Sequence, residues 1–252
     1  MNQQEAMFKY CLRLGDNALI RSYRLSEWCS NAPILEEDLA LTNFALDMIG
    51  RAQALLGYAG QIEGKGRSDD DLAYRRGERS FFNVLLTELP NQDFAYTMAR
   101  ELYLSAFEYF YYSGLVASKD ATLAAIAAKT LKEIKYHLSH ATDWVLRLGD
   151  GTAESHAKMQ TAVDDLWPYA SVLFESDATD AAMVSAISAP DPAALKESWV
   201  KHVSAILKEA TLDVPTTMYT HTGGRNGIHS ENLGHILAEM QFLPHAYPDA
   251  KW

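Results

Sequence analysis

Residues 132–140, KEIKYHLSH, place one glutamate and two histidines within nine residues of a segment with helical periodicity. A helical bundle holds two irons with a Glu-x-x-His pair on each of two helices. Here Glu133 and His137 are four residues apart, one more than that pattern requires. The segment therefore suggests a metal site without having the known spacing of one.

Each residue turns a helix by about 100°, so the sequence alone predicts which side chains of this segment face the core. Ile134 lies near the centre of an apolar stripe, and His137 lies at its edge. Glu133 and His140 fall roughly 110–130° from that centre by the same rotation, close to the solvent side. A metal buried between helices would need a carboxylate where Ile134 stands, and isoleucine has no ligand atom.

The second long helix gives the same result. Met48 lies at the centre of its apolar stripe, and Arg51 follows three residues later. If this segment stands where a di-iron helix carries Glu-x-x-His, a thioether has replaced the carboxylate and a guanidinium has replaced the imidazole. Iron prefers carboxylate and imidazole ligands, and a guanidinium has a fixed positive charge and cannot accept a metal.

Two interpretations of these polar side chains stay open. One is a surface metal site made by Glu133, His137 and His140, with Asp16 as a further carboxylate. The other is a histidine at the core edge with solvated neighbours, which is the commoner arrangement on a polar helix face. Asp16 itself is either a lone carboxylate beside an apolar face or a helix cap after Gly15.

The third long helix carries Glu101 and Glu108 on one face and an aromatic run, FEYFYY, over 107–112. The two glutamates are predicted to point away from the apolar stripe, where salt bridges are favoured over metal ligation. Aromatic side chains on nearly every side of a helix need apolar neighbours on more than one side. We therefore predict that the run contacts both the core and a partner, with Tyr109 or Tyr112 at the interface.

Residues 220–231, THTGGRNGIHSE, combine a Gly-Gly pair, an arginine and a helix start. This segment could cradle a phosphate, but a glycine-rich turn into the last helix is the favoured interpretation, and the role of 222–228 stays open. Ser230 is predicted to cap that helix through its hydroxyl. Five basic residues near the second helix form a local basic patch, which is either a site for an anionic ligand or, more commonly, a solvated face: Lys65, Arg67, Arg75, Arg76 and Arg79.

Helical periodicity dominates the chain, and strand alternation is nearly absent. Four long helices in two pairs, joined by a long connection, outline an all-α, ferritin-like helical bundle with additional C-terminal helices, as a single domain over 1–252. The predicted helices cover about 5–30, 36–62, 72–89, 93–118, 120–148, 152–175, 192–210 and 231–243.

Composition excludes several classes of function. The formal net charge of −11 disfavours a nucleic-acid partner, because phosphate attracts basic chains. No signal peptide and no run of eighteen apolar residues is present, which disfavours a membrane span. The two cysteines, Cys11 and Cys29, are too few for a disulfide framework. These features predict a cytoplasmic protein.

Four separate blocks of the sequence resemble the non-catalytic ferritin-like subunits of phenylacetyl-coenzyme A epoxidases. The similarity extends from about residue 10 to Trp252. The blocks are LSEWCSNAPILEEDLALTNFALDMIGRAQALLGYAG (25–60), RGERSFFNVLLTELPNQDFA (76–95), AAIAAKTLKEIKYHLSHATDWVLRLGDGT (124–152) and TGGRNGIHSENLGHILAEMQFL (222–243).

The resemblance implies that a sister subunit of the same fold binds two irons and epoxidises phenylacetyl-coenzyme A with O₂, while a separate reductase carries FAD and an iron–sulfur cluster. This chain would pair with the sister subunit and support it, as a pseudoenzyme in a hetero-oligomer. Met48, Arg51, Ile134 and His137 then match vestigial ligand positions. No catalytic, metal or cofactor-binding residue is assigned.

Two other functions remain possible on the sequence. The chief alternative is a stand-alone di-metal oxidase or oxygenase of ferritin-like fold, using Glu133, His137, His140 and Asp16. A third is a free helical scaffold with unrelated partners. The metal content of the purified chain separates the first alternative from a structural subunit.

Overall fold

The computed structural model describes residues 2–248 and 250, which contain eleven α-helices and no β-strand. Single 3-10 turns occur at Glu78–Ser80, Ser171–Phe174 and Pro192–Leu195. The predicted all-α class is therefore confirmed. The helices are Gln3–Ser26 (α1), Leu35–Glu63 (α2), Asp69–Tyr74 (α3), Leu85–Glu88 (α4), Phe94–Leu115 (α5), Ala121–Gly149 (α6), Ala153–Ala170 (α7), Ala178–Ile187 (α8), Lys196–Glu209 (α9), Glu231–Met240 (α10) and Phe242–Ala246 (α11).

The described residues form two compact units. The first consists of the chain up to Pro90 together with the chain from Gly223 onward, and α1 packs along α2 within it. The second is Asn91–Thr222, in which α5 packs along α6 and also contacts α7 and α9. A single domain over 1–252 stays a prediction. No described helix combines the length and the apolar character needed to cross a bilayer.

The four long helices begin and end close to their predicted bounds, and local caps mark the starts of α1, α5 and α6 and the end of α2. Asn2 starts α1 with a reciprocal capping box to Glu5, and the side chains of Asp93 and Asp120 accept hydrogen bonds in the first turns of α5 and α6. Gly64 ends α2 in the left-handed conformation that favours glycine, with φ 70°.

The predicted helix over 72–89 is wrong. This region contains the end of α3, one 3-10 turn, an extended stretch and the single turn of α4. Side chains of α1 accept hydrogen bonds from the extended backbone: Asp16 from the Phe82 amide at 2.9 Å and Asn17 from the Val84 amide at 2.8 Å. These tertiary hydrogen bonds replace the helical ones that the apolar periodicity suggested.

Three other boundaries also differ from the prediction. The segment over 152–175 is α7 followed by a 3-10 turn, and the segment over 192–210 begins as a 3-10 turn before α9. The last helix is interrupted after Met240, where α11 follows. The helix α8, which Asp177 starts with a capping box to Asp180, was not predicted at all.

The core of the second unit is a cluster of large aromatic side chains. Trp199 is fully buried, and its ring lies edge-on to the rings of Tyr103 and Phe174. Its indole Nε1 donates to the Tyr103 carbonyl at 2.9 Å, and the Tyr103 hydroxyl donates to the Val163 carbonyl at 3.1 Å. Burial raises the pKa of the Tyr103 hydroxyl well above its ordinary value, so this group stays a neutral donor.

Gly60 and Gly50 both lie in α2, but only Gly60 is in close contact with another segment. A Cβ at Gly60 would lie 2.2 Å from the Arg67 carbonyl oxygen, a backbone atom, whereas a Cβ at Gly50 would meet nothing within 4 Å. Gly60 therefore lets the loop after α2 fold back against the helix.

We expect Gly60→Ala to lower the free energy of unfolding, because the loop backbone must shift to admit the methyl group. Gly50→Ala is the matched control in the same helix and should raise that free energy by up to about 1 kcal/mol, the helix-propensity difference. Urea unfolding followed by circular dichroism measures both. Equal effects of the two substitutions would contradict the close contact at Gly60.

Candidate functional site

The structure places both predicted vestigial positions of α2 in the interior. Met48 is fully buried, as its central place in the apolar stripe predicted, and Arg51 is 3% exposed. Neither side chain supplies the carboxylate or imidazole that an iron site needs. These two residues do not fit a metal.

On α6, Ile134 and His137 are both fully buried. His137 thus lies in the core, whereas the sequence had placed it at the core edge. Glu133 and His140 are half-buried, and Glu133 lies 3.7 Å from the ammonium of Lys129 in an ion pair. Ile134 has no ligand atom, so this helix does not fit a di-iron site either. Within the described parts of the chain, no three His, Cys, Asp or Glu side chains converge as metal ligands.

Asp16 lies in the middle of α1 with its side chain fully buried, so the proposed helix cap is wrong. Both carboxylate oxygens accept hydrogen bonds from the Arg76 guanidinium, and one also accepts from the Phe82 amide. Arg76 is buried as well, which removes it from the predicted solvated basic face. The carboxylate is therefore part of a buried ion pair that connects α1 to the segment after α3.

Glu101 and Glu108 of α5 are both buried, although the sequence placed them away from the apolar stripe, and the predicted salt bridge is confirmed for Glu101. The guanidinium of Arg100, which is also fully buried, lies 3.9 Å from the Glu101 carboxylate. A different guanidinium nitrogen of Arg100 donates a hydrogen bond to the Asn91 side chain at 2.5 Å. A helix that is buried on most sides carries its charges inside, and each charge then needs a partner.

The aromatic run over 107–112 is more deeply buried within the second unit than the sequence suggested. Of the two residues predicted for the interface, Tyr112 is only 3% exposed and has almost no surface left to bury against a partner, so an interface role stays a prediction for Tyr109 alone. Phe107 contacts the ring of Tyr111, at 5.5 Å between centroids, and that of Phe174, at 5.7 Å. Tyr109 is half-buried.

The first unit contains a buried polar cluster that the sequence did not predict. The carboxylate of Glu88 accepts hydrogen bonds from the Ser230 amide at 2.7 Å and from the Asn83 amide group at 2.9 Å, and it lies 2.8 Å from His229 Nδ1. The side chains of Glu88 and His229 are both fully buried. Two Arg24 nitrogens donate to the Glu88 carbonyl, at 3.1 and 2.8 Å.

The surroundings of His229 favour its protonated, positively charged form. Its Nε2 lies 2.8 Å from the Phe81 carbonyl oxygen, and its Nδ1 faces the Glu88 carboxylate. The Phe81 carbonyl accepts only, so Nε2 carries a proton, and an ionised Glu88 carboxylate favours a second proton on Nδ1. Burial lowers the pKa of His229, but the hydrogen bonds to Glu88 and Phe81 outweigh it, and the pKa is raised above its ordinary value. The only hint in the sequence was a lone carboxylate in the apolar run FFNVLLTELP (81–90).

The glycine-rich loop over 222–228 packs tightly on the same segment. A Cβ at Gly224 would lie 2.5 Å from the Asn83 carbonyl oxygen, and one at Gly227 would lie 2.4 Å from that of Arg79. The amides of Gly224 and Gly227 donate within the loop, so these donors do not face a phosphate. Ser230 is the N-cap residue, as predicted, but its hydroxyl makes no capping hydrogen bond.

The chain belongs to the phenylacetic acid catabolic protein family, whose match covers residues 1–252. It is a ferritin-like helical protein, as the sequence predicted. It is 46% identical to the C component of the 1,2-phenylacetyl-CoA epoxidase of Escherichia coli (strain K12), over 252 residues and the full length of both chains.

The raised pKa of His229 predicts a pH-dependent contribution to stability. The pKa of His229 is higher in the folded state than in the unfolded state, where it is about 6.5. The resulting stabilisation is fully present below about pH 6.5 and is lost as the pH rises through the pKa of the folded state. His229→Gln should therefore lower the free energy of unfolding more at about pH 6 than at about pH 9. Urea unfolding at both pH values measures the difference.

His235→Gln is the matched control, because His235 is an exposed imidazole on α10. Glu88→Gln should remove most of the same pH dependence, because it takes away the carboxylate that favours the charged imidazole. A His229→Gln effect that grows with rising pH would contradict the assignment of a charged His229.

Proposed function

We propose that this chain is the structural, non-catalytic member of a bacterial phenylacetyl-CoA epoxidase in aerobic phenylacetate degradation. It pairs with a di-iron ferritin-like sister subunit, which epoxidises phenylacetyl-CoA with O₂. Its own chemistry is limited to folding and association. The di-iron centre belongs to the sister subunit, and the FAD and iron–sulfur cluster belong to a reductase of the same complex.

The observation that carries this proposal is the chemistry of the four vestigial positions. Met48, Arg51 and Ile134 cannot ligate iron, and all three are buried. His137 alone keeps a ligand-capable ring. The full-length similarity to a named component of a phenylacetyl-CoA epoxidase supports the same role.

The stand-alone di-metal oxidase remains the alternative. Its proposed ligands Glu133, His137 and His140 lie on α6 with mixed burial, and Asp16 is engaged by Arg76. These contacts favour the structural subunit.

Co-expression with the di-iron sister subunit tests the proposal. We expect a stable complex that contains about two iron ions per sister subunit. The chain purified alone after iron-replete expression should contain no stoichiometric iron. Size-exclusion chromatography and elemental analysis measure the two quantities. About two irons per isolated chain would favour the di-metal oxidase, and failure to form a complex would contradict the pairing.

His137→Ala separates a structural role from a chemical one. Because His137 is fully buried, its truncation should lower the free energy of unfolding by roughly 1–3 kcal/mol. Epoxide formation by the assembled complex should persist, since the buried neighbour Ile134 has no ligand atom. His140→Ala, at a half-buried position one turn away, is the control and should cost less stability. Lost turnover in a folded, assembled His137→Ala complex would reveal a chemical role.

A further inference from the structure

The helix α2 has a second apolar face that the chain itself leaves uncovered. Four aliphatic residues on it are well exposed: Leu35 at 71%, Leu39 at 56%, Leu46 at 59% and Ile49 at 48%. With the half-buried Thr42 between them, they form what we name the α2 seam. Single exposed apolar residues are ordinary, but a contiguous row of them marks an interaction surface.

The spacing of the α2 seam indicates what kind of partner would cover it. Its members follow one another at intervals of four, three, four and three residues. This is the a/d spacing by which a helix packs against another helix, with each side chain inserted between those of the partner. The opposite face of α2 is buried, as Leu41, Phe44 and Met48 show. The helix α2 therefore packs against the core with one face and presents a row of apolar side chains for a second helix on another.

The charges beside the α2 seam select among helical partners. Glu36 and Asp38 lie at its amino-terminal end, and no Lys or Arg occurs from Leu35 to Gly50. The one basic residue of α2, Arg51, is buried. A second copy of this chain would bring acidic flanks together, in a protein that already carries a net charge of −11. The complementary partner is a helix with an apolar row and basic flanks.

We propose that the α2 seam docks an amphipathic helix of the partner subunit, with aliphatic residues facing the seam and Lys or Arg along its edges. The identity of that partner, the di-iron sister subunit, rests on the proposed function. This interface on α2 is distinct from the aromatic run of α5, where Tyr112 is only 3% exposed and Tyr109 is half-buried.

Leu39→Glu with Leu46→Glu tests the seam in the full chain. Both residues are exposed, so the variant should fold, as circular dichroism and thermal unfolding would show. Its dissociation constant for the sister subunit should rise about 100-fold or more, because unpaired charges would enter an apolar interface. The matched control is Tyr136→Glu with Phe242→Glu, which adds the same charges at side chains that are 59% and 64% exposed.

A second pair of variants tests the sign of the partner's charge at Asn43, an exposed residue beside the α2 seam. Asn43→Lys should slow association with the sister subunit, and Asn43→Glu should leave it unchanged or speed it. The reverse order would overturn the basic partner. Stopped-flow or surface-based kinetics at low and high salt measures the effect.

The outcomes separate the seam from the proposed function. If the wild type and the Leu39→Glu, Leu46→Glu variant bind equally, the docking site is wrong while the pairing stands. If the wild type does not bind the sister subunit at all, both fall. If sedimentation velocity finds a wild-type dimer that this variant converts to a monomer, the occupant is a second copy, and the proposal is overturned.

Discussion

The carboxylate of Asp16 has no access to solvent, so the protein itself must balance its charge. Arg76 supplies the opposite charge, and the Phe82 amide supplies a further donor. Removing one member of such a buried pair leaves an uncompensated charge and costs about 3–5 kcal/mol. The chain between α3 and α4 therefore follows an extended path past α1, although its apolar residues recur with a helical period.

The Glu88 cluster extends this constraint to the carboxyl-terminal part of the first unit. The carboxylate accepts a hydrogen bond from the Ser230 amide and faces His229. These contacts join the start of α10 to a segment more than a hundred residues earlier in the chain. The glycines of the preceding loop allow the close approach that these bonds require. Buried ion pairs thus hold distant segments of the first unit together.

The helix α2 combines the two proposed properties of the chain. Its buried face carries Met48 and Arg51, which the proposed function interprets as vestigial ligand positions, and its exposed face carries the α2 seam. A helix freed from holding a metal can keep an apolar interior and still present an association surface. Both features agree with a protein whose function is to pair.

The sequence by itself determined the all-α class, the four long helices and the inward facing of Met48 and Ile134, because helical periodicity and caps are local properties. It could equally have revealed the α2 seam, whose spacing is local too. Only the tertiary structure decided that 72–89 is broken, that Glu101 is buried and that Tyr112 is covered. The sequence could not pair Glu88 with His229 either. Each of these features depends on contacts with residues that are distant in the sequence. The residue pattern of a single helix cannot show which of its faces another segment will cover.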